Sequence, residues 1–320
     1  MSELLQVNHL KKYFKTPGGM LHAVDDVSFR IDEGKTLGVV GESGCGKSTL
    51  GRTVLGLLQA TDGQIVFDGR DVTNLSAGQR RALCRDRQII FQDPYSSLNP
   101  RRSVAELIAT PLRINRAYRS SAEREKRVYE LMDTVGLSRR YIYSYPHELD
   151  GGRRQRVGIA RALAMNPKFI VCDEPVSALD VSIQAQILNL LMDLQEASDL
   201  TYIFITHNLS VVKHVSSDIM VMYMGCLVEK AGTEELFERH LHPYTKGLLS
   251  AIPIPSLHVQ RNQILLEGEV TSPVNPKPGC RFCSRCVYAK DICRTEDPAI
   301  EEVLPGHFVA CHCVREINDL

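Results

Sequence analysis

The sequence has no tryptophan, few aromatic residues and no excess of charge of either sign. Its 38 Lys and Arg residues balance its 38 Asp and Glu residues. Dedicated nucleic-acid binders gain most of their affinity by neutralising phosphates, so this balance argues against that class. No run approaches the ~18 apolar residues of a membrane span, and the charged start MSELLQVNHLKKYF is not typical of a signal peptide. We therefore expect a protein that is made and kept in the cytosol.

The length of 320 residues fits about two domains, and 43% hydrophobic residues can form a sizeable core. Short apolar runs at 36–40, 168–172 and 201–206 alternate with stretches of helical periodicity. Strands separated by helices favour an α/β fold with a mostly parallel sheet.

Two regions depart from this alternation. Residues 95–165 have helical patterns, including a capping box predicted at Ser120 and Glu123, and indicate a helical insert. From about residue 252, prolines and then closely spaced cysteines indicate a separate tail with little regular structure.

A glycine-rich loop follows the run 36–40. Its sequence, GESGCGKS, matches the phosphate-loop pattern G-x-x-x-x-G-K-[ST]. Glycines let successive backbone N–H groups face a phosphate, and the following helix directs its positive end to the same place. Lys47 would add a full charge, and the Ser48 hydroxyl would ligate Mg²⁺. The residues predicted to bind ATP in this loop are Gly41, Ser43, Gly44, Cys45, Gly46, Lys47, Ser48 and Thr49, with Cys45 expected to fill space rather than to react.

Two acidic residues, Asp173 and Glu174, end the apolar run 168–172. In a phosphate-loop ATPase, an Asp at a strand end holds Mg²⁺ or its water shell. The adjacent Glu can accept a proton from the attacking water. Such a pair could by itself merely cap the next helix, but together with the phosphate loop it predicts catalysis.

With four further motifs, these residues resemble the ATP-binding-cassette (ABC) ATPases over about residues 5–250. Gln92 in FQDP resembles the Q-loop glutamine, which touches Mg²⁺ and senses the membrane partner. His207 in ITHN resembles the switch histidine that contacts the γ-phosphate. Tyr13 resembles the aromatic residue that stacks on adenine, with Phe14 as the alternative. The sequence SALD at 177–180 resembles the D-loop of the dimer interface.

The resemblance implies an α/β phosphate-loop (RecA-like) ATPase core with a helical subdomain and a small Cys-rich C-terminal tail. It places the ATPase domain at 1–250, its helical subdomain at about 95–165 and the C-terminal extension at 251–320. It also implies that two such subunits sandwich two ATP molecules. Each ATP lies between the phosphate loop of one chain and the signature motif of the other, and closure of the dimer moves the attached membrane domains.

The signature motif departs from the family pattern LSGGQ. Here Asp150, Gly151, Gly152 and Arg153 follow Leu149. The family's Ser donates to the γ-phosphate of the partner's ATP, whereas an ionised Asp cannot donate and brings a negative charge close to a polyanion. Either the partner's ATP site is weakened or Arg153 or Mg²⁺ offsets the charge, and Asp150 remains a good helix cap. A weakened site predicts a pair with a second, different ABC ATPase that carries a normal signature motif.

The segments 91–100 and 242–253 and the cysteine tail resemble the oligopeptide/dipeptide/nickel importer branch, most of all the second ATPase of a peptide importer. The resemblance implies import of di- or oligopeptides with a second ATPase, two integral-membrane permease subunits and, indirectly, an extracytoplasmic solute-binding protein. It implies a peripheral location on the cytoplasmic face of the plasma membrane and no nucleic-acid partner. The alternatives are an importer of nickel or another small solute and a soluble ABC ATPase that remodels nucleic acid or ribosomes.

Six of the ten cysteines lie between residues 280 and 313. Converging thiolates repel one another unless a metal neutralises them, as zinc and iron–sulfur clusters do. The set Cys280, Cys286, Cys293 and Cys311 resembles the [4Fe–4S] ligands of peptide-importer ATPases. Zinc could instead prefer two tight pairs, in which Cys283 and Cys313 join Cys280 and Cys311, and free thiols in a loop-rich tail are the third interpretation. A metal would clip together a tail too small for its own core.

Overall fold

A computed structural model describes residues 2–252, 264–266, 268 and 272–320. The strands are β1 (Glu3–Thr16), β2 (Gly19–Asp32), β3 (Thr36–Val40), β4 (Asp62–Phe67), β5 (Arg70–Asp71), β6 (Arg87–Ile90), β7 (Phe169–Asp173), β8 (Thr201–Ile205), β9 (Asp218–Tyr223), β10 (Cys226–Gly232), β11 (Glu301–Leu304) and β12 (His307–Val309). The helices are α1 (Lys47–Val54), α2 (Ala77–Leu83), α3 (Pro94–Ser97), α4 (Val104–Ile114), α5 (Ser121–Thr134), α6 (Gly151–Leu163), α7 (Val181–Ser198), α8 (Leu209–Val215), α9 (Thr233–Glu238), α10 (Pro243–Ser250), α11 (Ile292–Thr295) and α12 (Val314–Ile317). Among the described residues, none of the helices has both the length and the hydropathy of a membrane span.

The chain forms two compact units. The first consists of Met1–Asn74 and Phe204–Leu320, and the second of Leu75–Ile203. The change from one unit to the other falls within β8. The predicted boundary at residue 250 between an ATPase domain and an extension stays a prediction.

In the first unit, β3 lies beside β9 in parallel, with Leu37 opposite Asp218. The order continues from β9 through β10 and β12 to β11 by antiparallel pairing. A separate antiparallel sheet has the order β2-β1-β4-β5. Strand β3 is buried at all five positions, which suits its continuous apolar sequence and confirms the strand predicted at 36–40.

The second unit includes residues 95–165, the segment that the sequence predicts as a helical insert. Its strands β6 and β7 pair in parallel, and helices α4, α5 and α6 pack together. The Ser120 side chain accepts the backbone N–H of Glu123, while the Glu123 carboxylate accepts the N–H of Ser120, so the capping box at the start of α5 is confirmed. Helix α5 buries Val128, Leu131 and Met132, which repeat at helical spacing.

The described part of the tail has more regular structure than its sequence predicts. Its strand β12 pairs with β10, with Val309 opposite Glu229, and so extends the sheet of the first unit. Val303, Val309 and Val314 pack with Leu241 in a small apolar cluster. The tail residues 253–263, 267 and 269–271 lie outside the described residues.

Candidate functional site

The predicted phosphate loop connects β3 to α1 in the first unit. Two of its glycines have no room for a side chain: a Cβ on Gly41 would lie 2.2 Å from the Met222 carbonyl oxygen, and one on Gly46 would lie 2.0 Å from the Ala23 oxygen. Gly46 also has a φ of 103°, in the left-handed region that glycine adopts most readily. The loop therefore curls against two neighbouring strands just before the helix begins. Its exposed tip is Ser43 and Gly44, while Ser48 and Thr49 lie half-buried in the first turn of α1.

Lys47 turns back into the curve of this loop. Its ammonium donates to the carbonyl oxygens of Gly41 and Glu42, each over 2.8 Å. The Cys45 sulfur lies 3.7 Å from the same ammonium. Burial raises the pKa of the Cys45 thiol, although the Lys47 charge opposes the change. A buried, protonated thiol is inert, which agrees with the prediction that Cys45 fills space.

Tyr13 is held in a fixed orientation. Its ring stacks on that of His22, with centroids 3.9 Å apart, and its hydroxyl donates to Asp25. Burial and the Asp25 carboxylate together raise the pKa of Tyr13. The alternative aromatic residue is Phe14, and the centroid of its ring lies 4.7 Å from the ammonium of Lys12.

His207 lies at the edge of the first unit from which the phosphate loop emerges. The Thr206 N–H donates to the Val39 oxygen over 3.2 Å, so β8 ends level with the end of β3. His207 follows directly and is exposed, ahead of α8. Residues at the carboxyl ends of such strands are well placed for ligand binding.

In the second unit, three predicted site residues lie around the end of β7: the predicted general base Glu174 and two predicted Mg²⁺ ligands, Asp173 and Gln92. Asp173 is the last residue of this strand and is buried. Glu174 follows with a φ of 47°, a conformation that is uncommon for a non-glycine residue. The Gln92 side-chain amide donates to the Glu174 carboxylate over 2.9 Å. The structure thus brings together Gln92 and Glu174, which are 82 residues apart in sequence.

The signature residues form the start of α6, also in the second unit. Asp150 is the N-cap residue, and its carboxylate accepts the Arg153 N–H over 2.8 Å. The same carboxylate lies 2.7 Å from the Arg153 guanidinium. The charge of Asp150 is therefore balanced by the other departure from the family pattern. Gly151 and Gly152 form the first two helical positions.

Six cysteines of the tail line one cavity in the first unit: Cys280, Cys283, Cys286, Cys293, Cys311 and Cys313. They include the four predicted [4Fe–4S] ligands and both rivals. The donor set suits a metal that prefers thiolates. Across the part of the chain that the structure describes, however, no group of three or more His, Cys, Asp or Glu side chains is arranged to hold a metal ion. The arrangement therefore gives the predicted cluster no support beyond the shared cavity.

Burial raises the pKa of several thiols in this cavity. It raises the pKa of Cys280 to about 12 and that of Cys311 to about 11, with neighbouring thiols adding to both shifts. The Cys286 pKa is raised for the same reason. Metal ligation requires thiolates, so binding of a metal here would release protons.

Sequence reasoning missed a set of polar contacts on the second residue of the phosphate loop. The Glu42 carboxylate accepts two hydrogen bonds from the Arg285 guanidinium, over 2.8 and 3.1 Å. The Glu42 N–H donates to the Tyr244 hydroxyl over 2.9 Å. The partners lie more than 200 residues away in sequence, so no local pattern could have indicated them.

Comparisons with known proteins relate the chain to others over nearly its whole length. It is 49% identical over 319 residues to the oligopeptide transport ATP-binding protein AppF of Bacillus subtilis, which covers 97% of each chain. It is also 49% identical to the oligopeptide transport ATP-binding protein OppF of Haemophilus influenzae, which covers 96% of each chain. Residues 24–177 match the ABC transporter family, and residues 228–293 match the oligopeptide/dipeptide transporter C-terminal region.

The fold is similar to that of solved ATP-binding cassettes. A dimeric cassette in a post-hydrolysis state, bound to ADP and Pi, has a TM-score of 0.67 and 30% sequence identity. The similarity covers 72% of this chain and 99% of that chain. The predicted α/β phosphate-loop ATPase core is confirmed by this match, whereas the Cys-rich tail is not tested by it.

Proposed function

Because the chain belongs to the oligopeptide transport ATP-binding proteins of the ABC transporter family, we propose that it is the ATP-hydrolysing subunit of an importer for di- and oligopeptides. The observation that carries this proposal is that one chain matches both the ABC transporter family and the oligopeptide/dipeptide transporter C-terminal region. An ATPase cassette alone serves many functions, so it does not select a substrate class. The match of residues 228–293 to the oligopeptide/dipeptide transporter C-terminal region is what favours peptides.

We assign ATP binding to the loop 41–49 and to Tyr13. The N–H groups of the loop and the start of α1 supply partial positive charge for the phosphates, and Lys47 adds a full one. Tyr13 supplies a flat face for adenine, and its fixed orientation favours it over Phe14. Ser48, Gln92 and Asp173 would hold Mg²⁺, which neutralises charge on the transferring phosphoryl group.

We assign hydrolysis to Glu174 and His207. Glu174 would take the proton of the attacking water, and the amide of Gln92 supports the orientation of its carboxylate. His207 would contact the γ-phosphate. Because Gln92 also belongs to the motif that resembles the sensor of the membrane partner, its bond to Glu174 could make hydrolysis respond to that partner.

The proposed transporter has four subunits, of which this chain is one, and a solute-binding protein that serves it indirectly. A second, different ABC ATPase would pair with this chain, and two permease subunits would cross the membrane. An extracytoplasmic solute-binding protein would deliver peptides to the permeases. The chain would lie peripherally on the cytoplasmic face of the plasma membrane, and no nucleic acid takes part.

The Asp150–Arg153 pair supports an asymmetric function for this dimer. A carboxylate in place of a hydroxyl removes a donor that the partner's ATP would use. Arg153 neutralises the charge but is itself engaged with Asp150 over 2.7 Å. We therefore assign the stronger ATP site to this chain's own loop, completed by the signature motif of the second ATPase.

For the tail, we propose a [4Fe–4S] cluster ligated by Cys280, Cys286, Cys293 and Cys311, with zinc as the alternative occupant. Such a metal would hold together short elements that bury little apolar surface. All four of these thiols line one cavity, and their choice as ligands rests on the resemblance to peptide-importer ATPases. Cys283 and Cys313 line the same cavity and remain rival ligands.

Uptake of peptide by cells tests the proposed function. A strain that lacks this chain should lose ATP-dependent uptake of a labelled tripeptide, and the wild-type chain should restore it. The Lys47→Ala variant should not restore uptake, because the phosphates of ATP would lose the positive charge that Lys47 supplies. Restored uptake of nickel in place of peptide would move the substrate class to the alternative importer, and an unchanged uptake of both would overturn the proposal.

A further inference from the structure

The cysteine-rich segment carries two arginines that reach the nucleotide-binding elements of the same unit. Arg281 lies between Cys280 and Cys283, and Arg285 lies between Cys283 and Cys286. The thiols line the cavity, whereas the two guanidiniums contact the carboxylates of Asp25 and Glu42 in the N-terminal part of the chain. This short segment therefore borders two different sites.

Arg285 binds the phosphate loop. Its guanidinium donates two parallel hydrogen bonds to the Glu42 carboxylate, over 2.8 and 3.1 Å, and lies 3.4 Å from the Tyr223 hydroxyl. The Arg285 side chain is only 6% exposed, and that of Glu42 is 26% exposed. A bidentate pair screened from water is stronger and more directional than an ion pair on the surface.

All the polar groups of Glu42 are engaged. Its N–H donates to the Tyr244 hydroxyl, and its carbonyl oxygen accepts the Lys47 ammonium over 2.8 Å. With the carboxylate on Arg285, the second residue of the loop is held at three points. Loss of Arg285 would leave the backbone contacts but free the side chain, so the loop would sample more conformations.

Arg281 acts at the other end of the candidate nucleotide site. Its guanidinium donates to the Asp25 carboxylate and, over 2.7 Å, to the Met224 oxygen. The same carboxylate accepts Tyr13 and His22, whose rings are stacked. Burial alone would raise the pKa of Asp25, but the bonds from Tyr13 and His22 and the charge of Arg281 lower it overall. Asp25 is therefore an anion that orients the aromatic pair.

The two contacts share one rigid anchor. Phe282, between the arginines, is fully buried, and its ring lies 5.3 Å from that of Tyr223 and 5.4 Å from that of Tyr244. Tyr223 and Tyr244 are the residues whose hydroxyls contact Arg285 and Glu42. The packing of Phe282 thus fixes the backbone from which both arginine side chains extend.

We propose that Arg281 and Arg285 are positioning residues for ATP, Arg285 through Glu42 of the phosphate loop and Arg281 through Asp25 and Tyr13 at the adenine end. The cysteine-rich segment is then part of the nucleotide site rather than an appendage. This inference rests on the proposed assignment of the loop 41–49 and Tyr13 to ATP.

Binding to the purified full chain tests the two positions separately. Arg285→Gln should raise the Kd of both MgATP and inorganic tripolyphosphate by about tenfold, the scale of one charge-assisted bond. Arg281→Gln should raise the Kd of MgATP by about fivefold and leave that of tripolyphosphate unchanged, because the effect is at the adenine end. Arg294→Gln, at an exposed arginine of the same region, is the matched control and should change neither.

Kinetics separates positioning from a merely structural role. In the assembled transporter, Arg285→Gln should raise KM for ATP while kcat changes less than about threefold, because the reacting groups are untouched. Arg285→Lys, which keeps the charge but not the paired bonds, should restore part of the affinity. Glu42→Gln should reproduce Arg285→Gln, and the double variant should be no weaker than either single one.

The outcomes distinguish this inference from the assignment on which it rests. If Lys47→Ala abolishes ATP binding but the arginine variants bind like wild type, the inference is wrong and the site assignment stands. If Lys47→Ala still binds ATP, the assignment itself fails. Equal losses for Arg281→Gln and Arg294→Gln, or a fall in kcat alone, would also overturn the inference.

Discussion

Glu174 combines a strained backbone with a directed side chain. Its φ of 47° lies in a region that costs a non-glycine residue of order 1–3 kcal/mol. The strain is opposed by hydrogen bonds around the residue: Gln92 holds its carboxylate, and the Ser177 hydroxyl donates to its carbonyl oxygen over 3.1 Å. Such strain persists where the orientation of a side chain matters for function. This supports Glu174, rather than a neighbouring acid, as the general base.

Replacing Glu174 by Gln should slow hydrolysis by ~10²–10⁴-fold, because the amide cannot accept the proton of the attacking water. The Kd of MgATP should stay within about threefold, since charge at the phosphate loop is unchanged. Steady-state phosphate release and nucleotide binding measure the two effects. Asp199→Asn, at another residue with positive φ, is the control and should hydrolyse ATP normally. Undiminished turnover in Glu174→Gln would refute the assignment.

The Asp150–Arg153 pair gives a second prediction at the scale of single residues. In the assembled transporter, Asp150→Ser should raise turnover at the partner's ATP site by about tenfold, because a hydroxyl donor to the γ-phosphate is restored. Turnover at this chain's own site should change less than about twofold.

Silencing one site at a time separates the two rates. Glu174→Gln leaves the partner's site as the source of phosphate, and the matching substitution in the second ATPase leaves this chain's site. Asp150→Asn, which removes the charge and keeps a helix-capping oxygen, shows how much of the effect is electrostatic. Equal changes in both backgrounds would contradict the asymmetric dimer.

At the scale of elements, helix α10 depends on a neutral histidine. The His242 Nδ1 atom accepts the Tyr244 N–H over 3.1 Å and so caps the helix, which requires an unprotonated nitrogen. Burial lowers the pKa of His242 to about 4, although the nearby Glu229 opposes the change. Glu229 itself is buried and accepts the Leu241 and His242 N–H groups and the His307 ring N–H.

Stability should therefore fall as the pH falls from 6.5 toward 4. In this window the unfolded histidine binds a proton that the folded one excludes, so protons favour unfolding. Between pH 6.5 and pH 5, the titration of His242 should lower the free energy of unfolding by about 2 kcal/mol. Urea unfolding at the two pH values measures it. His242→Asn, which keeps a capping acceptor but does not titrate, should lose about 2 kcal/mol less over the same interval. His214→Gln, at an exposed histidine, should behave like wild type.

At the scale of the whole molecule, distant parts of the sequence converge on the cysteine cavity. The thiols come from a span of more than thirty residues, and His242 and Pro243 from the start of α10 line the same space. Strand β12 fixes the far end of this span because it pairs with β10. Folding of the first unit thus brings together six thiols that would be far apart in the extended chain.

Protein purified without oxygen should show a broad absorption near about 400 nm and bind about four iron atoms per chain, as expected for cysteine-ligated [4Fe–4S]. Cys293→Ser should lose both, because a proposed ligand is removed. Cys84→Ser, at an exposed cysteine outside the cavity, should keep both. A colourless wild-type protein with about one zinc ion per chain would make zinc the occupant.

Much of the candidate site could be predicted from sequence because its motifs are local. The phosphate loop needs glycine at positions 41 and 46, because the neighbouring backbone leaves no room for a Cβ on Gly41 or Gly46. The glycines lie within a run of eight residues, so a short sequence pattern reveals them. The capping box at Ser120 and Glu123 is local for the same reason. The tail was predicted to have little regular structure because its strands β11 and β12 are short, and a short strand gains its stability from the sheet that it joins.

Four features could be predicted without a structure, since each depends on residues within a few positions of one another: the phosphate loop, the acidic pair at the end of β7, the altered signature motif and the helical insert. The distant side chains that support the phosphate loop, in contrast, are brought to it by tertiary packing. The bidentate contact of Arg285 with Glu42 spans 243 residues, and that of Arg281 with Asp25 spans 256. Partners so far apart leave no periodicity or spacing in the sequence, because their meeting depends on how the whole unit packs around Phe282 and its tyrosine neighbours.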